Sequence, residues 1–278
     1  MKYAICNETF EGWEHARICG YLRKIGYTGL EIAPFTLASR ITEVNQSARA
    51  KLRKEAEKED VKIIGLHWLL AKTEGFCLTS PDVAVRKNTA GYLEELGRAC
   101  VDLGGDILVL GSPAQRRIPV GHTKEQATEF AVDTLKRTVK VFGDLGVKLC
   151  LEPLSPPEAD FVNTAGEGAE ILRQIGHPNY LLHLDVKAMS TEPKPTPEVI
   201  REFIHLTGHF HANDPNLRGP GFGSTDFVPI FQALLEKKYS GWVSVEVFDY
   251  KPDPETIAEK SLEYMKACVA KARNLLNL

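Results

Sequence analysis

The sequence lacks several features that mark well-defined classes of protein. Its six cysteines include no CxxC pair, and several of them lie in apolar stretches, so we expect buried, reduced thiols. No apolar run approaches the length of a membrane span, and the first residues show no signal-peptide pattern. The net charge of −3 removes the simplest argument for a nucleic-acid or membrane partner. We therefore predict a soluble, cytoplasmic protein that binds neither nucleic acid nor a membrane.

What the sequence does contain is a repeated alternation of short apolar runs and longer amphipathic segments. Eight runs are typical of buried parallel strands and lie at 3–8, 29–33, 62–67, 107–111, 148–152, 181–185, 208–212 and 242–247. Helical patterns follow at about 13–25, 43–59, 81–103, 124–145, 165–175, 196–206, 227–238 and 254–275. Eight such units predict one (β/α)8 TIM barrel as a single domain over residues 1–278. A doubly wound open sheet is the alternative.

Helix ends give local support to this pattern. Thr123 and Gln126 form a capping box at the start of one helix, and Ser80 before a proline predicts the start of another. Gly26 and Gly146 each follow a helical pattern and precede a strand. Glycine at such a position ends a helix in a left-handed turn.

In barrels of this kind, function is located where the strands end. Four consecutive predicted strands end in an acidic or imidazole side chain, namely Glu152, Asp185, His211 and Glu246. Three anions packed together repel one another, and a divalent cation removes that conflict. We therefore predict one divalent ion held by these four residues. Three carboxylates and one histidine suit Mn²⁺, Mg²⁺, Co²⁺ or Zn²⁺. Singly, each carboxylate could instead cap a helix or form a salt bridge.

A second layer of polar residues lies beneath this set. His183, His209 and Ser244 each precede a predicted ligand by two residues, so strand alternation points them the same way, one layer deeper. Hydrogen bonds from this layer would orient the ligands. For His183, a histidine satisfied within the core is an equal alternative.

The ordered motifs resemble a known superfamily. They are Leu151-Glu152-Pro153, His183-Leu184-Asp185, His211-Ala212-Asn213-Asp214, Gly221-Phe222-Gly223 and Ser244-Val245-Glu246. Over nearly the whole chain the sequence resembles the sugar isomerase/epimerase superfamily with the xylose-isomerase-like barrel, and most nearly its ketose 3-epimerases and hydroxypyruvate isomerase. The resemblance implies the four metal ligands named above, with Mn²⁺ as the leading ion, and makes Glu152 and Glu246 the acid/base pair.

The resemblance also implies substrate contacts. Glu158 and Arg218 match positions that bind substrate in the ketose epimerases. One departure is Ala188, where those epimerases carry a histidine, and the neighbouring Lys187 could substitute for it. A standard free ketohexose is therefore a doubtful substrate.

Further strand ends add candidates for the pocket. His67 and Trp68 end the third strand and are predicted to line the sugar pocket, and Glu31 at the end of the second is a weaker candidate. The loop 111–117 follows the fourth strand. Its arginines either reach the substrate or form a solvated surface pair.

We predict a sugar isomerase or epimerase that acts by proton abstraction next to a carbonyl. The metal polarises the carbonyl, a carboxylate removes the neighbouring proton, and an enediolate results. Return of the proton to the opposite face of the same carbon inverts that centre and gives an epimer. Return of the proton to the neighbouring carbon converts an aldose to a ketose or the reverse. The alternatives are a lyase or hydrolase of 3-keto-sugar glycosides, a DNA-repair endonuclease and a non-catalytic sugar-binding protein. The expected partner is a small sugar or sugar derivative, and homo-oligomer formation is left open.

Overall fold

Eight parallel strands close into one barrel in the computed structural model, which describes residues 1–278. They are β1 (Lys2–Cys6), β2 (Gly29–Ile32), β3 (Lys62–Leu66), β4 (Ile107–Leu110), β5 (Lys148–Leu151), β6 (Tyr180–Asp185), β7 (Thr207–Ala212) and β8 (Trp242–Val245). They follow one another in chain order, and β8 pairs in parallel with β1. The predicted (β/α)8 barrel is confirmed, and the open doubly wound sheet is wrong.

Ten α-helices connect and cover the strands. They are α1 (His15–Ile25), α2 (Gln46–Lys58), α3 (Val83–Leu103), α4 (Lys124–Lys136), α5 (Val139–Leu145), α6 (Ala165–Ile175), α7 (Val186–Met189), α8 (Thr196–Phe203), α9 (Phe227–Glu236) and α10 (Pro254–Leu276). None of these helices combines the length and the apolar composition needed to cross a membrane.

The helix predicted over 124–145 is divided between α4 and α5. The division falls at Thr138, whose hydroxyl donates to the Leu135 carbonyl at 2.8 Å and lies 2.5 Å from the Tyr180 hydroxyl. A threonine hydroxyl that bonds a carbonyl of the preceding turn competes with the helical hydrogen bonds, which accounts for the interruption.

The capping box of Thr123 and Gln126 is confirmed at the start of α4. The glycines after α1 and α5 both adopt the left-handed conformation, as expected. Ser80 as the cap of α3 is wrong, because the helix begins two residues after the proline. Asp82 caps it instead, its carboxylate accepting the Ala84 N–H at 2.7 Å.

The barrel interior beneath the C-terminal mouth is polar. Cys6, Glu31, His183, His209 and Ser244 all have no exposed surface. Strand register places Cys6 beside Glu31 and His183 beside His209. These side chains form a buried polar layer that supports the residues at the mouth.

Candidate active site

Side chains from four neighbouring strands meet at the C-terminal mouth of the barrel. Asp185 ends β6 and His211 lies in β7, whereas Glu152 and Glu246 directly follow β5 and β8. All four are buried, and the most exposed, Glu152, shows 6% of its surface. Ligand atoms of Asp185, His211 and Glu246 lie within 4.8 Å of one another, and Glu152 lies within the same distance of Asp185. The structure therefore brings the four predicted ligands together.

The imidazole of His211 is oriented by a carboxylate. Its Nε2 atom lies 3.0 Å from Glu31 Oε2. Its Nδ1 atom lies 3.2 Å from Glu246 Oε2 but has no hydrogen-bond partner. Glu31, the weaker pocket candidate, thus holds the ring so that Nδ1 faces the cluster. A carboxylate on one ring nitrogen and a free second nitrogen are typical of a metal-binding histidine.

The carboxylates repel one another at this depth. Burial raises the pKa of Glu152 well above its ordinary value, and the neighbouring Glu246 and Asp185 raise it further. Burial and then Glu246 raise the pKa of Asp185 to about 6. A bound cation would relieve this repulsion. Three carboxylates and one imidazole therefore fit a divalent cation.

Glu246 has different surroundings from Glu152. Its Oε1 atom accepts the Trp68 indole N–H at 2.8 Å and lies 3.2 Å from His67 Nδ1. Burial alone would raise the pKa of Glu246, but the charge of the adjacent His211 and the hydrogen bond from His67 hold it well below the ordinary value. No protein side chain hydrogen-bonds to Glu152. The two carboxylates therefore differ in their hydrogen-bond partners and in the direction of their pKa shifts.

Glu8 is a site residue that the sequence interpretation missed. His67 Nε2 lies 3.0 Å from Glu8 Oε2, so the imidazole bridges Glu8 and Glu246. Burial alone would lower the pKa of His67, but the charge of Glu8 and the two carboxylate bonds raise it well above the ordinary value. The first strand was predicted to run through residue 8. It ends at Cys6, and a 3-10 helix over Asn7–Phe10 turns Glu8 into the mouth.

Trp68, whose indole N–H bonds to Glu246, also lines a cavity. The cavity has a volume of about 470 Å³, and its walls include Glu8, Phe10, Trp13, Phe35, Trp68 and Tyr250. The backbone of Trp68 has a φ of 52°, in the left-handed region that few bulky residues adopt. Such strain is common at functional sites, and the indole N–H of this residue donates to Glu246. The predicted positions of His67 and Trp68 at the mouth therefore agree with the structure.

Lys187 and Glu158 lie together next to the cluster. Lys187 Nζ is 2.5 Å from Glu158 Oε1 and 4.6 Å from the centre of the Phe248 ring. Its positive charge lowers the pKa of Asp185, although burial and Glu246 outweigh it. Ala188 is buried, and its N–H donates to Asp185 Oδ1 at 2.7 Å. Asp185 therefore caps α7 as well as facing the other carboxylates.

Arg218 is not brought into the cluster. Its Nε atom bonds to Asp249 Oδ2 at 2.9 Å, and the side chain is 37% exposed. It contacts none of the four predicted ligands. Arg218, which matches a substrate-binding arginine of the ketose epimerases, therefore lies at the rim of the mouth. There its guanidinium bonds to Asp249.

The second layer supports the ligands indirectly. His209 Nε2 lies 2.9 Å from Glu31 Oε2, so it acts on His211 through Glu31. Ser244 Oγ lies 3.8 Å from Cys6 Sγ and bonds to none of the predicted ligands. The direct hydrogen bonds to the predicted ligands that were expected from these two residues are therefore absent, because His209 bonds to Glu31 and Ser244 faces Cys6 instead.

His183 differs from His209 and Ser244 in its hydrogen bonding. Neither of its ring nitrogens has a hydrogen-bond partner, and the ring has no exposed surface. Burial, followed by the charges of His211 and His209, lowers the pKa of His183 well below its ordinary value. His183 therefore makes no direct hydrogen bond to a predicted ligand.

Three further residues shape the mouth. Asn213 Nδ2 donates to Asp185 Oδ2 at 2.6 Å, and its position two residues after His211 was the available signal. Gly111 leaves room for Glu152, since an added Cβ would stand 1.6 Å from Glu152 Oε2. Arg116 is buried, with Nε and Nη2 unpartnered, so the alternative of a solvated surface pair does not hold for this arginine. Burial lowers the pKa of Arg116 to about 10, opposed by Glu152 and Glu158.

Comparison with known proteins agrees with this geometry. The family model described as "Xylose isomerase-like TIM barrel" matches residues 19–268. D-psicose 3-epimerase of Agrobacterium fabrum is 30% identical over 89% of this chain and 85% of its own. The 3-dehydro-D-guloside 4-epimerase of Escherichia coli is 23% identical over 96% of this chain and all of its own. A crystal structure of D-psicose 3-epimerase with D-tagatose, from Clostridium cellulolyticum H10, shares the fold. Its TM-score is 0.85 at 24% identity, covering 97% of this chain and 99% of that one. The chain belongs to the xylose isomerase-like TIM barrel family, and within it to the sugar isomerases and epimerases.

Proposed function

We propose that the protein is a divalent-metal-dependent sugar epimerase or isomerase with Glu152 and Glu246 as its acid/base pair. The observation that carries this proposal is the meeting of these two buried carboxylates with Asp185 and His211 at the mouth of the barrel, on strand ends separated by β6 and β7. The names of the relatives support the same class of reaction. We expect the enzyme to act in the cytoplasm.

The metal would be held by Glu152, Asp185, Glu246 and the Nδ1 atom of His211. When bound, the cation would polarise the substrate carbonyl and its neighbouring hydroxyl. Mn²⁺ is the leading candidate because the donor set is rich in carboxylate oxygen, and Mg²⁺, Co²⁺ and Zn²⁺ are the alternatives.

The chain's own residues account for the proton transfers. Glu246 is the base, because the bonds from Trp68 and His67 fix its Oε1 atom at the mouth. It removes the proton from the carbon next to the carbonyl and leaves an enediolate. Glu152 returns a proton to the other face, which inverts the centre. Both carboxylates are almost fully buried, which limits loss of the proton to water.

The substitution Glu246→Gln tests the role of the base. The amide keeps the shape of the side chain but accepts no proton, so kcat should fall by about 100-fold or more while KM changes little. The exposed Glu263→Gln provides a matched control, with the same chemical change on α10. Turnover by Glu246→Gln equal to that of the parent would remove this carboxylate from the mechanism.

The site favours a modified or larger sugar over a free ketohexose. The cavity of about 470 Å³ is lined by Trp68, whose indole bonds to Glu246, and Ala188 offers no imidazole beside Asp185. A relative named for a 3-dehydro-guloside supports a keto-glycoside substrate. A lyase or hydrolase of 3-keto-glycosides is the second candidate, favoured by the same cavity, because its aromatic walls could receive the group attached to the sugar.

A substrate screen in Mn²⁺ distinguishes these possibilities. We expect weak or no epimerisation of tagatose, fructose and psicose, better turnover of 3-keto-glycosides, and a gain on ketohexoses in Ala188→His. Recovery of an intact epimeric glycoside identifies an epimerase, whereas release of the aglycone identifies the lyase or hydrolase. A kcat/KM of about 10⁴ M⁻¹s⁻¹ or more for the parent on free ketohexoses would contradict the expected substrate preference.

A further inference from the structure

The loop between β4 and α4 exposes a valine at its tip. Val120 has a side chain that is 100% exposed, the highest value among the large hydrophobic residues of the chain. It lies between Pro119 and Gly121, in a segment of residues 117–122 that we call the loop tip. An apolar side chain in this position gains free energy when a partner removes it from water.

The loop tip is held in place by hydrogen bonds. The Ile118 N–H donates to Asp160 Oδ1 at 3.0 Å, which ties the loop tip to the segment between β5 and α6. The His122 N–H donates to the Pro119 carbonyl at 3.0 Å and closes the turn that carries Val120. A segment ordered in advance loses little conformational freedom when it binds. The loop tip is therefore suited to insertion into a groove.

A groove of about 660 Å³ lies beside the loop tip, between α4 and α6. Its apolar floor and acidic rim are formed respectively by Phe161, Val162 and Ile171 and by Glu125, Glu129 and Glu170. Asp160, which bonds to the loop tip, directly precedes the first floor residue. The loop tip and this α4–α6 groove therefore share one face of the barrel.

Part of the acidic charge of the groove has no cation to balance it. Lys124 bridges the groove to Glu167 at 2.6 Å, and Glu170 pairs with an arginine of its own helix. Glu125 and Glu129 are exposed and form no ion pair within the chain. These two carboxylates favour a partner that brings a positive charge.

The loop tip carries such a charge. Arg117 is exposed and forms no ion pair within the chain, although its Nη2 atom donates to the Glu158 carbonyl at 2.7 Å. An apolar side chain and a free guanidinium thus occur together on the loop tip, and an apolar floor and free carboxylates occur together in the groove. Two copies of the chain are complementary in both respects.

We propose that the loop tip of one copy docks into the α4–α6 groove of a second copy, and that the second copy docks its own loop tip in return. Because the loop tip and the groove share one face, a single two-fold rotation makes both contacts and closes the assembly as a dimer. Val120 lies on the apolar floor, and Arg117 faces Glu125 and Glu129. This inference concerns assembly and does not depend on the proposed function.

Sedimentation equilibrium of the full chain measures this association. We expect the parent to have twice the mass of the chain. Val120→Asp should raise the dissociation constant of the dimer by about 100-fold or more, because an aspartate would meet an acidic groove in both contacts. Val120 is fully exposed, so the monomer should fold as the parent does.

Leu275→Asp is the matched control, with an exposed apolar side chain again replaced by aspartate. Leu275 is 65% exposed on α10, which follows β8, whereas α4 follows β4 on the opposite side of the eight-stranded barrel. Its dimer should keep the parental dissociation constant. An equal loss of association in both variants would overturn the proposal.

Charge reversal tests the electrostatic part of the contact. Arg117→Glu and Glu129→Lys should each weaken the dimer by about tenfold or more, and the two substitutions together should restore most of the lost affinity. The parental dimer should also weaken as the salt concentration rises from about 0.1 to 1 M, because exposed charges are then screened. Additive losses in the double variant would contradict the proposed pairing.

A photoreactive amino acid at position 120 identifies the surface that the loop tip contacts. We expect a crosslink between two copies that joins position 120 to α4, α6 or the segment 160–164. A parent that stays monomeric at millimolar concentration, or an oligomer that Val120→Asp leaves intact, would overturn the proposal. Crosslinks only to a different protein would likewise exclude a second copy as the occupant of the groove.

Discussion

Position 111 has room only for glycine, because the carboxylate of Glu152 occupies the space that a side chain would need. An added Cβ would meet Glu152 Oε2 at 1.6 Å, a distance that no side chain can tolerate. We expect Gly111→Ala to displace Glu152 and to lower kcat by about 100-fold, since a shift of about 1 Å in a catalytic group can cost that much. Steady-state kinetics and metal titration measure the effect.

Gly91 supplies the contrast for this substitution. It lies on the exposed side of α3, and an added Cβ would meet nothing within 4 Å. Gly91→Ala should leave kcat unchanged and stabilise the helix by about 1 kcal/mol, because alanine has the higher helix propensity. Parental activity in Gly111→Ala would show that Glu152 can move without loss.

Metal binding should depend on pH through Asp185. Its pKa of about 6 in the metal-free protein is raised from the ordinary 3.8, so below pH 6 the cation must displace a proton. The apparent affinity should therefore fall as the pH is lowered through 6, by up to about tenfold per unit for each proton displaced. Titration calorimetry in buffers of different ionisation enthalpy measures the protons released. An affinity independent of pH between 5 and 7 would contradict this.

At the residue scale, the position of a site residue along its strand could be predicted from the sequence. Its depth in the barrel and its hydrogen-bond partners could not. The rule that barrel function lies at strand ends identified Glu152, Asp185, His211 and Glu246, because each follows a recognisable apolar run. It made Glu31 only a weaker candidate for the pocket and gave no indication that Glu31 would bond His211, since that contact joins residues 180 positions apart. It also missed Glu8, because nothing local shows that the first strand stops at Cys6.

At the scale of elements, helix starts are set by side chains that reach the free backbone N–H groups. Asp82 accepts the Ala84 N–H, and Ser80 accepts the Asp82 N–H outside the helix. We expect Asp82→Ala to lower the free energy of unfolding by about 1 kcal/mol, and Ser80→Ala to lower it by less. Denaturant unfolding followed by circular dichroism compares the two variants, and an equal loss in both would restore Ser80 as a cap.

Elements with strong local signals were predictable, and those that depend on distant contacts were not. The paired Thr123 and Gln126 lie within one turn, so the start of α4 could be predicted from sequence. The break at Thr138 depends partly on Tyr180 in β6, which no local pattern reveals. The four residues of α7 are too few for a helical period, and their cap is Asp185, a residue interpreted only as a metal ligand.

At the scale of the whole molecule, the order of strands follows from the alternation of apolar runs and helices, because parallel neighbours require a crossover each time. One domain over residues 1–278 remains a prediction, consistent with a single barrel that includes every strand. The substrate was less accessible to sequence reasoning, because the cavity walls come from separate strand ends and loops.

Removal of the metal should destabilise the entire barrel. The proposed ligands repel one another when no cation is bound, and a ligand at 100 times its dissociation constant adds about 2.7 kcal/mol to the folded state. We expect a chelator to lower the melting temperature of the parent. His211→Ala, which weakens the site, should respond less. Identical melting curves of the parent with and without chelator would exclude a cation bound at these conditions.

The hydrogen bond from Trp68 to Glu246 also makes the site optically observable. Indole emission responds to a charged group in contact with its N–H, and Trp68 is the tryptophan that touches a proposed ligand. Trp13 stacks against Arg17, and Trp242 lies at the far end of β8, under Lys2. Occupation of the mouth by a cation or a sugar is therefore expected to change the intrinsic fluorescence. Comparison with Trp68→Phe would isolate that change and give binding isotherms without any added label.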